Sequence, residues 1–353
     1  MAVKYVALDV HQASTSISIR DVRGRVIRRE VVPTSAACIR EVIDSAGGTI
    51  HVTLEEGTLS QWIYDQLVSR VAQVIVCDPR HNRLLAAGNK SDRIDADKLS
   101  DLLRLGALRS VYHERSAVSA LRELVRSYNT LVEDSTRVML RVKAIFRARA
   151  IECSGIAVYH PKNRARFLAA LSDRGARLRA EHFYAQLDGL VEVRARARHQ
   201  MLEEAKRHPA VRLLRSVPFI GPVRAAEIVA IVVTPERFRT RRQLWPYAGL
   251  AVTTRSSADH RFDRGTAVRN AKKVSRGLNR NFNRTLKKVF KEAAASAVCS
   301  PGPLRDCYER LLARGMRPEL ARLTIARKIA SIVLAIWKKG VPFDPAILNA
   351  QNT

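Results

Sequence analysis

The sequence is poor in acidic residues, in cysteine and in long apolar runs. Only 33 Asp and Glu oppose 62 Lys and Arg among 353 residues, and the five cysteines are scattered singly. Without CxxC spacing or an even framework, these cysteines indicate neither a zinc site nor secreted disulfides. No apolar run approaches the roughly 18 to 20 residues that span a bilayer, so we expect no membrane segment.

Two common signatures of enzyme chemistry are also missing. The chain contains neither the GxSxG elbow of a hydrolase nor the GxxxxGK[ST] loop that binds ATP. Its start, MAVKYVALDV, lacks a basic segment followed by an apolar run and a cleavage site, so it does not predict a signal peptide. We therefore expect a cytoplasmic location.

Positive charge is the dominant feature of the composition. The formal net charge is +29 and the isoelectric point is about 10.9. Such an excess repels itself unless a polyanion screens it, so the leading partner is nucleic acid. The length and the 46% hydrophobic content predict two or three folded units.

Strand and helix patterns alternate over residues 1–110. Apolar and alternating segments predict strands at 4–9, 15–20, 25–32, 49–55 and 73–77, the first three antiparallel. Helical periodicity predicts a helix capped by Thr34 and extending to residue 45, and another at 61–69. These elements predict a mixed sheet with helices on its faces.

The rest of the chain is helical by pattern. Heptad-like apolar spacing predicts a long helix within 116–150, and a second run at 165–207 carries loop signals near Ser172 and Gly189. The two runs could pair within one chain as a helical spacer or across a dimer as a coiled coil. We predict three domains: 1–110, a helical spacer at 111–207, and an all-helical domain at 208–353 that ends in a helix at 318–338.

Four acidic residues occupy positions that can converge. Asp9 and Glu55 end buried strands, while Asp92 and Asp95 are three residues apart at a helix start and share a face. Asp97 is turned away by roughly 200° and is left out. Clustered carboxylates repel one another, and Mg²⁺, a hard cation that prefers oxygen ligands, resolves this repulsion. The alternative is that these acids form only helix caps and solvated neighbours.

Three motifs carry a resemblance to a known family. The segments DVHQ, LEEGT and KSDRIDA resemble the Asp-Glu-Asp-Asp motifs of DEDD-type insertion-sequence transposases, relatives of the Piv DNA invertase. The resemblance implies a RuvC/ribonuclease-H-like α/β domain at 1–110. The second family motif reads Glu-Ala-Thr-Gly, and here the chain has Glu55-Glu56-Gly57-Thr58. Glu55 is preferred over Glu56 because it continues the strand.

A second resemblance lies in the C-terminal part. YAGLAVTTRSSADHRF resembles the family segment GLxPxxxxSG, whose serine is the nucleophile, and counting from Gly249 selects Ser257, with Ser256 as the alternative. The chain departs from the pattern with Ala258 in place of Gly and without the usual Pro. The resemblance implies a covalent phosphoserine intermediate, which conserves the energy of the broken bond and needs no ATP.

Two further segments predict contacts with nucleic acid. VPFIGPVRAA resembles a helix–hairpin–helix turn with its bend at Gly221 and Pro222, where backbone N–H groups approach phosphate. The strongly basic stretch after Ser257 predicts neutralisation of the phosphate backbone. The candidate contact residues are Gly221, Arg255, Arg261, Lys272, Lys273, Arg276, Arg280 and Arg284.

These observations lead to the hypothesis of a DNA transposase or site-specific recombinase. The resemblance implies that it acts on donor and target DNA, uses a structured bridge RNA as guide and works as a homodimer or homotetramer. One rival is a metal-only nuclease or junction resolvase, in which water attacks and Ser257 is incidental. The other is a non-enzymatic protein that binds nucleic acid.

Overall fold

The structure, a computed structural model, divides into two compact units. The first runs over Met1–Ser116 and the second over Ala117–Thr353. Most of the predicted spacer therefore shares the second unit with the predicted C-terminal domain, and the finer three-domain division stays a prediction. The residues that the structure describes are 2–79, 92–115, 117–254, 260–263, 265–269, 275–278 and 281–345.

The first unit contains a six-stranded mixed sheet in the order β3-β2-β1-β4-β5-β6. The pairs β1–β4 and β4–β5 are parallel, and the other neighbours are antiparallel. The predicted mixed sheet is confirmed. Its elements are β1 (Val3–Val10), β2 (Ser14–Asp21), β3 (Val26–Pro33), α1 (Ala36–Ala46), β4 (Thr49–Glu55), α2 (Ser60–Leu67), β5 (Gln73–Cys77), α3 (Asp92–Arg104) and β6 (Ser110–Val111).

The sheet separates two apolar layers. Leu8 of β1 and Leu54 of β4 are buried in one cluster with residues of α1 and α2. On the opposite face, Ala7 and Cys77 pack with Leu99 of α3. Because side chains alternate along a strand, this division assigns every residue of β1 and β4 to one face or the other.

The N-terminal cap of α1 differs from the prediction. Ser35, not Thr34, caps the helix, and its hydroxyl accepts a hydrogen bond from the Cys38 N–H. The Thr34 hydroxyl instead donates to the His11 carbonyl and bonds the Thr15 hydroxyl at 2.8 Å. Both residue types are good caps, so sequence alone did not separate two adjacent candidates.

The second unit begins with two long antiparallel helices. These are α4 (Ser119–Arg147), which precedes the short helix α5 (Pro161–Ala169), and α6 (Arg174–Lys206), which follows it. Phe146, near the end of α4, shares an apolar cluster with Ala180 near the start of α6. Leu121 and Met201, at the opposite ends, share another. The hairpin within one chain is therefore observed.

One of the two predicted interruptions in the second helical run is wrong. The break near Ser172 is present, and Asp173 caps α6 by accepting bonds from the N–H groups of Gly175 and Ala176. No break occurs at Gly189, which lies inside the continuous helix. A glycine costs a helix only about 1 kcal/mol, and the packing of α6 on α4 exceeds that.

The remaining helices surround one large core. They are α7 (Pro209–Leu214), α8 (Pro222–Val232), α9 (Arg241–Tyr247), α10 (Arg284–Cys299), α11 (Pro303–Ala313) and α12 (Pro318–Lys339). Ile228 of α8, Phe290 of α10 and Ile329 of α12 are fully buried in this core. Among the helices that the structure describes, none carries an apolar stretch of the length and hydropathy needed to cross a bilayer.

The expectation of an all-helical C-terminal domain is wrong. It is mostly helical, but four short strands form two two-stranded sheets, β7 with β10 and β8 with β9. They are β7 (Val252–Thr254), β8 (His260–Asp263), β9 (Thr266–Arg269) and β10 (Ser275–Leu278). Gly265, at φ 81°, supplies the left-handed backbone that lets β8 and β9 turn, and β-branched residues in β7 and β9 favour extended chain.

Gly249 is a position where only glycine fits. Its φ is 65°, and a Cβ there would lie 2.6 Å from Cγ of Phe282. Gly249→Ala is expected to lower the free energy of unfolding by about 1–3 kcal/mol, because the new methyl group is strained and displaces the ring. Denaturant unfolding followed by helical circular dichroism measures this change.

Gly189→Ala is the matched control. A Cβ at Gly189 meets no atom within 4 Å, so this change is expected to stabilise the chain by about 0.5–1 kcal/mol. Equal effects of the two substitutions would contradict the described surroundings of Gly249.

Candidate acidic centre and nucleic-acid interface

Asp9 and Glu55 lie on the same face of the sheet and at the same edge. In the parallel pairing of β1 and β4, Leu8 is opposite Leu54, so the residues that follow them are level with each other. Both leucines face α1 and α2. By alternation, the side chains of Asp9 and Glu55 are on the other face, which α3 covers, at the carboxyl ends of the strands.

Contacts along α3 define its direction on this face. Ser18 of β2 donates a hydrogen bond to Asp97 at 2.6 Å, and Arg20, further along β2, donates to the Ser100 hydroxyl at 3.2 Å. The strand β2 runs antiparallel to β1. Helix α3 is therefore also antiparallel to β1, and its N-terminal end is directed toward the carboxyl end of β1.

Asp95 belongs to that N-terminal end. It lies one helical turn before Leu99, which packs on the sheet beside Ala7 and Cys77. The fold thus brings three of the four predicted acids, Asp9, Glu55 and Asp95, to one face and one edge. The backbone of Asp92 starts α3, but its side chain is not among those that the structure describes.

One oxygen of this acidic edge, Oδ1 of Asp95, is buried and has no hydrogen-bond partner in the described part of the chain. Asp9 is mostly shielded, with 20% of its side chain exposed, and its Oδ2 lies 3.5 Å from Nε2 of His11. An orphaned carboxylate oxygen in an all-oxygen donor set suits a hard divalent cation.

The described side chains alone do not complete a metal site. Among them, no three His, Cys, Asp or Glu residues lie close enough together to hold one ion. That search excludes the side chain of Asp92, the fourth predicted ligand. What the structure provides is a shared face, a shared edge and one unsatisfied oxygen.

Glu56 is engaged elsewhere. Its Oε2 lies 2.6 Å from Nε2 of His113, and Nδ1 of that imidazole lies 2.9 Å from Oε1 of Gln61. The ring of Tyr64 packs against His113 at 5.6 Å between centroids. Glu55, in contrast, is paired in register with Cys77, whose side chain lies beneath α3. This placement agrees with the preference for Glu55.

Asp97, which was left out of the predicted acidic site, is bonded to neighbouring strands. It accepts hydrogen bonds from Arg29 Nε at 3.0 Å and from the Ser18 hydroxyl. Partial burial raises the pKa of its carboxyl group, but the bonds from Arg29 and Ser18 outweigh burial and hold the pKa below its usual value. Asp97 therefore holds α3 against β2 and β3.

The nucleophile and most of the predicted basic contacts cannot be placed. Ser257, its alternative Ser256, and the contacts Arg255, Lys272, Lys273 and Arg280 lie outside the described residues. The strands β8 and β10 include Arg261 and Arg276, but only their backbone is described. Arg284 is the first residue of α10 and is exposed.

The predicted helix–hairpin–helix turn joins α7 to α8, but its geometry differs from the expectation. Gly221 caps α8 with an ordinary φ of −72°, and Pro222 follows at the first helical position. The left-handed residue of the turn is Phe219, at φ 65°. Gly221 thus acts as a helix cap, and a role in binding phosphate stays a prediction.

Two residues near the acidic edge were missed from the sequence. Asp78 follows β5 directly, and the His113 imidazole bonds Glu56 after the chain has returned from α3 through β6. A single His or Asp outside any periodic pattern gives no signal. Only the pairing of β6 with β5 brings His113 back to this edge.

Comparison with known families agrees with this organisation. Residues 6–148 match a family model described as Transposase, for the DEDD domain of IS110 elements. Residues 211–309 match a model described as the Transposase IS116/IS110/IS902 family. The first match contains the four acids and the second contains Ser257. The two matches together cover more than half of the chain, which belongs to the DEDD-type insertion-sequence transposases.

Two relatives share similarity with part of the chain. It is 31% identical over 134 residues to the 44.8 kDa protein of insertion element IS116 from Streptomyces clavuligerus, a match covering 38% of this chain. It is 33% identical over 137 residues to the 43.6 kDa protein of insertion element IS110 from Streptomyces coelicolor, covering 39% of this chain. Each match spans 31% of the length of the relative.

Proposed function

We propose that this chain is a DNA transposase that cleaves and rejoins DNA strands. The supporting observation is the placement of Asp9, Glu55 and Asp95 on one face and at one edge of the sheet, with a buried Asp95 oxygen that has no hydrogen-bond partner among the described residues. Such acids are unusual in a chain with a net charge of +29. Phosphoryl transfer on DNA accounts for both the acidic edge and the basic remainder.

Asp9, Glu55, Asp92 and Asp95 are the residues that would hold Mg²⁺. Their donor atoms are all carboxylate oxygens, which Mg²⁺ prefers. When bound, the ion neutralises phosphate charge and stabilises the attacking and leaving oxygens. The role of the four acids would thus be to bind the ion and fix its position. Asp97 and Glu56, which are bonded to Arg29 and His113, stay outside the ligand set.

Ser257 is the proposed nucleophile, with Ser256 as the alternative. Its hydroxyl oxygen forms a bond to phosphorus as the bond to the departing strand breaks, and the departing oxygen takes up a proton. The phosphoserine bond keeps the phosphoryl group activated. A hydroxyl of a second strand then reverses the step, so rejoining needs no ATP. The acids and the serine come from one chain or from two copies.

The remaining partners follow from the family likeness. The basic residues from Arg255 to Arg284 neutralise DNA phosphates, Gly221 places backbone N–H groups against one strand, and a structured bridge RNA pairs with donor and target DNA. Recombination joins four strand ends, so a homodimer or homotetramer is proposed.

The metal proposal predicts a loss of Mg²⁺-dependent stabilisation in acid variants. At a Mg²⁺ concentration about 100 times its Kd, the wild type should gain about 2.7 kcal/mol. Asp9→Asn, Asp92→Asn and Asp95→Asn should lose most of this gain, while without metal each is expected to be at least as stable as the wild type, because repulsion is relieved. Thermal unfolding with and without Mg²⁺ measures both quantities.

Glu56→Gln is the matched control for these variants. It removes one negative charge beside the same edge, yet it should keep the full gain in stability with Mg²⁺, since Glu56 bonds His113. Undiminished gains in all three Asp→Asn variants would favour the non-enzymatic rival.

The serine proposal predicts a covalent adduct. Wild-type protein incubated with cognate insertion-sequence ends and Mg²⁺ should give a protein–DNA species that survives denaturing electrophoresis. Ser257→Ala should abolish it, while Ser256→Ala should retain it. DNA cut by the wild type with no adduct at any time point would instead identify the metal-only nuclease.

The guide proposal predicts a defined RNA partner. RNA that copurifies with the chain should, on sequencing, consist mainly of one structured species encoded beside the element. A broad mixture of cellular fragments, in proportion to their abundance, would show that the positive charge alone captures RNA.

A further inference from the structure

Two partly buried arginines of the second unit donate hydrogen bonds to backbone carbonyls and not to carboxylates. Arg327 Nε donates to the Leu250 carbonyl at 2.6 Å, and Arg122 Nε donates to the Ala230 carbonyl at 3.4 Å. Neither forms a salt bridge with any acid in the described ranges. A partly buried guanidinium that forms no salt bridge is costly, so it favours binding of an anion from outside the chain.

Aromatic rings hold the arginines of this region in place. Trp245 has the guanidinium of Arg327 5.6 Å from its ring centroid and that of Arg241 at 5.9 Å. Arg237 lies 4.4 Å from the ring of Tyr247. A cation–π contact uses the flat face of a guanidinium, so the in-plane N–H groups of Arg241, whose described contact is the Trp245 ring, can bind an oxyanion. We call Arg122, Arg237, Arg241, Arg327, Trp245 and Tyr247 the arginine–aromatic cluster.

The electrostatics of the cluster agree with a missing anion. Burial lowers the pKa of Arg122, and the positive charges of Arg126 and Arg237 lower it further. Burial also lowers the pKa of Arg327. Arg241 is exposed, and its one described contact is the Trp245 ring. An anion bound among these groups would relieve their repulsion and replace the lost water.

The cluster lies at the base of the segment that carries the proposed nucleophile. Arg327 binds the Leu250 carbonyl, and the indole N–H of Trp245 donates to the Arg327 carbonyl at 3.3 Å. Two residues after Leu250 the chain enters β7, and Ser257 follows. The Tyr247 carbonyl accepts the Asn283 N–H, where the basic helix α10 starts.

We propose that the arginine–aromatic cluster is a binding site for the phosphodiester backbone of a nucleic acid. The inference rests on the proposed function in that the substrate carries phosphodiesters. Planar guanidinium groups bind phosphate through two parallel N–H···O bonds, and stacking on Trp245 and Tyr247 preorganises them. Since the contacts are to phosphate, binding here is independent of base sequence.

The test is a titration of labelled nucleic acid with the full chain. Arg122→Gln/Arg241→Gln is built in a Ser257→Ala background without divalent metal, so that binding is measured apart from chemistry. The double variant should bind about ten-fold more weakly. The slope of log binding constant against log salt concentration should become shallower by about 0.9 for each lost phosphate contact on duplex DNA and by about 0.7 on single strands. Arms with duplex DNA, single-stranded DNA and RNA show which backbone occupies the cluster.

Two further variants separate the cluster from bulk charge. Arg322→Gln removes one charge from the exposed surface of α12, outside the cluster, and should change affinity less than two-fold. Arg241→Lys keeps the charge but loses the paired N–H groups of the guanidinium, so it should bind more weakly than the Ser257→Ala protein in which it is made. Thermal unfolding of each variant shows whether it is folded.

The outcomes distinguish this proposal from the proposed function. Affinity unchanged in the double variant, or an equal loss per charge in Arg322→Gln, would overturn the cluster while leaving the transposase proposal intact. A cluster that binds as expected in a protein that never forms a phosphoserine would overturn the covalent mechanism alone.

Discussion

Mutual repulsion between carboxylates is the constraint on which the first unit depends. The parallel register of β1 with β4 makes Asp9 and Glu55 level on one face, and the antiparallel course of α3 directs Asp95 toward the same edge. Negative groups placed at one edge of a sheet favour the approach of a compensating charge. His11 contacts Asp9, one buried Asp95 oxygen has no hydrogen-bond partner among the described residues, and the partner we propose for this edge is a divalent cation.

The second unit has the opposite imbalance. Its helices enclose a large apolar core, yet the partly buried guanidinium groups of Arg122 and Arg327 at its margin donate to backbone carbonyls and form no salt bridge within the described residues. The two proposals therefore call for ligands of opposite charge, a divalent cation for the acids of the first unit and phosphate for the arginines of the second.

The sequence was most informative where one physical signal dominated. Strands β4 and β5 were predicted at their observed ends, because short buried apolar runs flanked by turns have few other solutions. Prediction was wrong at Gly189, where packing between α4 and α6 overrides a local helix breaker. It was also wrong for β7 to β10, because strands of three or four residues are too short to show a clear alternation. Thr34 and Ser35 were indistinguishable because both residues can cap a helix.

The acidic motifs were also readable from the sequence, whereas the bonding that isolates Glu56 and Asp97 depends on long-range pairing with His113 and Arg29. The most direct test of the account is a crystal structure of the full chain grown with Mn²⁺, in which anomalous scattering locates the ion. We expect a peak in contact with Asp9, Glu55 and Asp95, with Oδ1 of Asp95 as a ligand. An ion bound elsewhere, with that oxygen hydrogen-bonded within the protein, would contradict it.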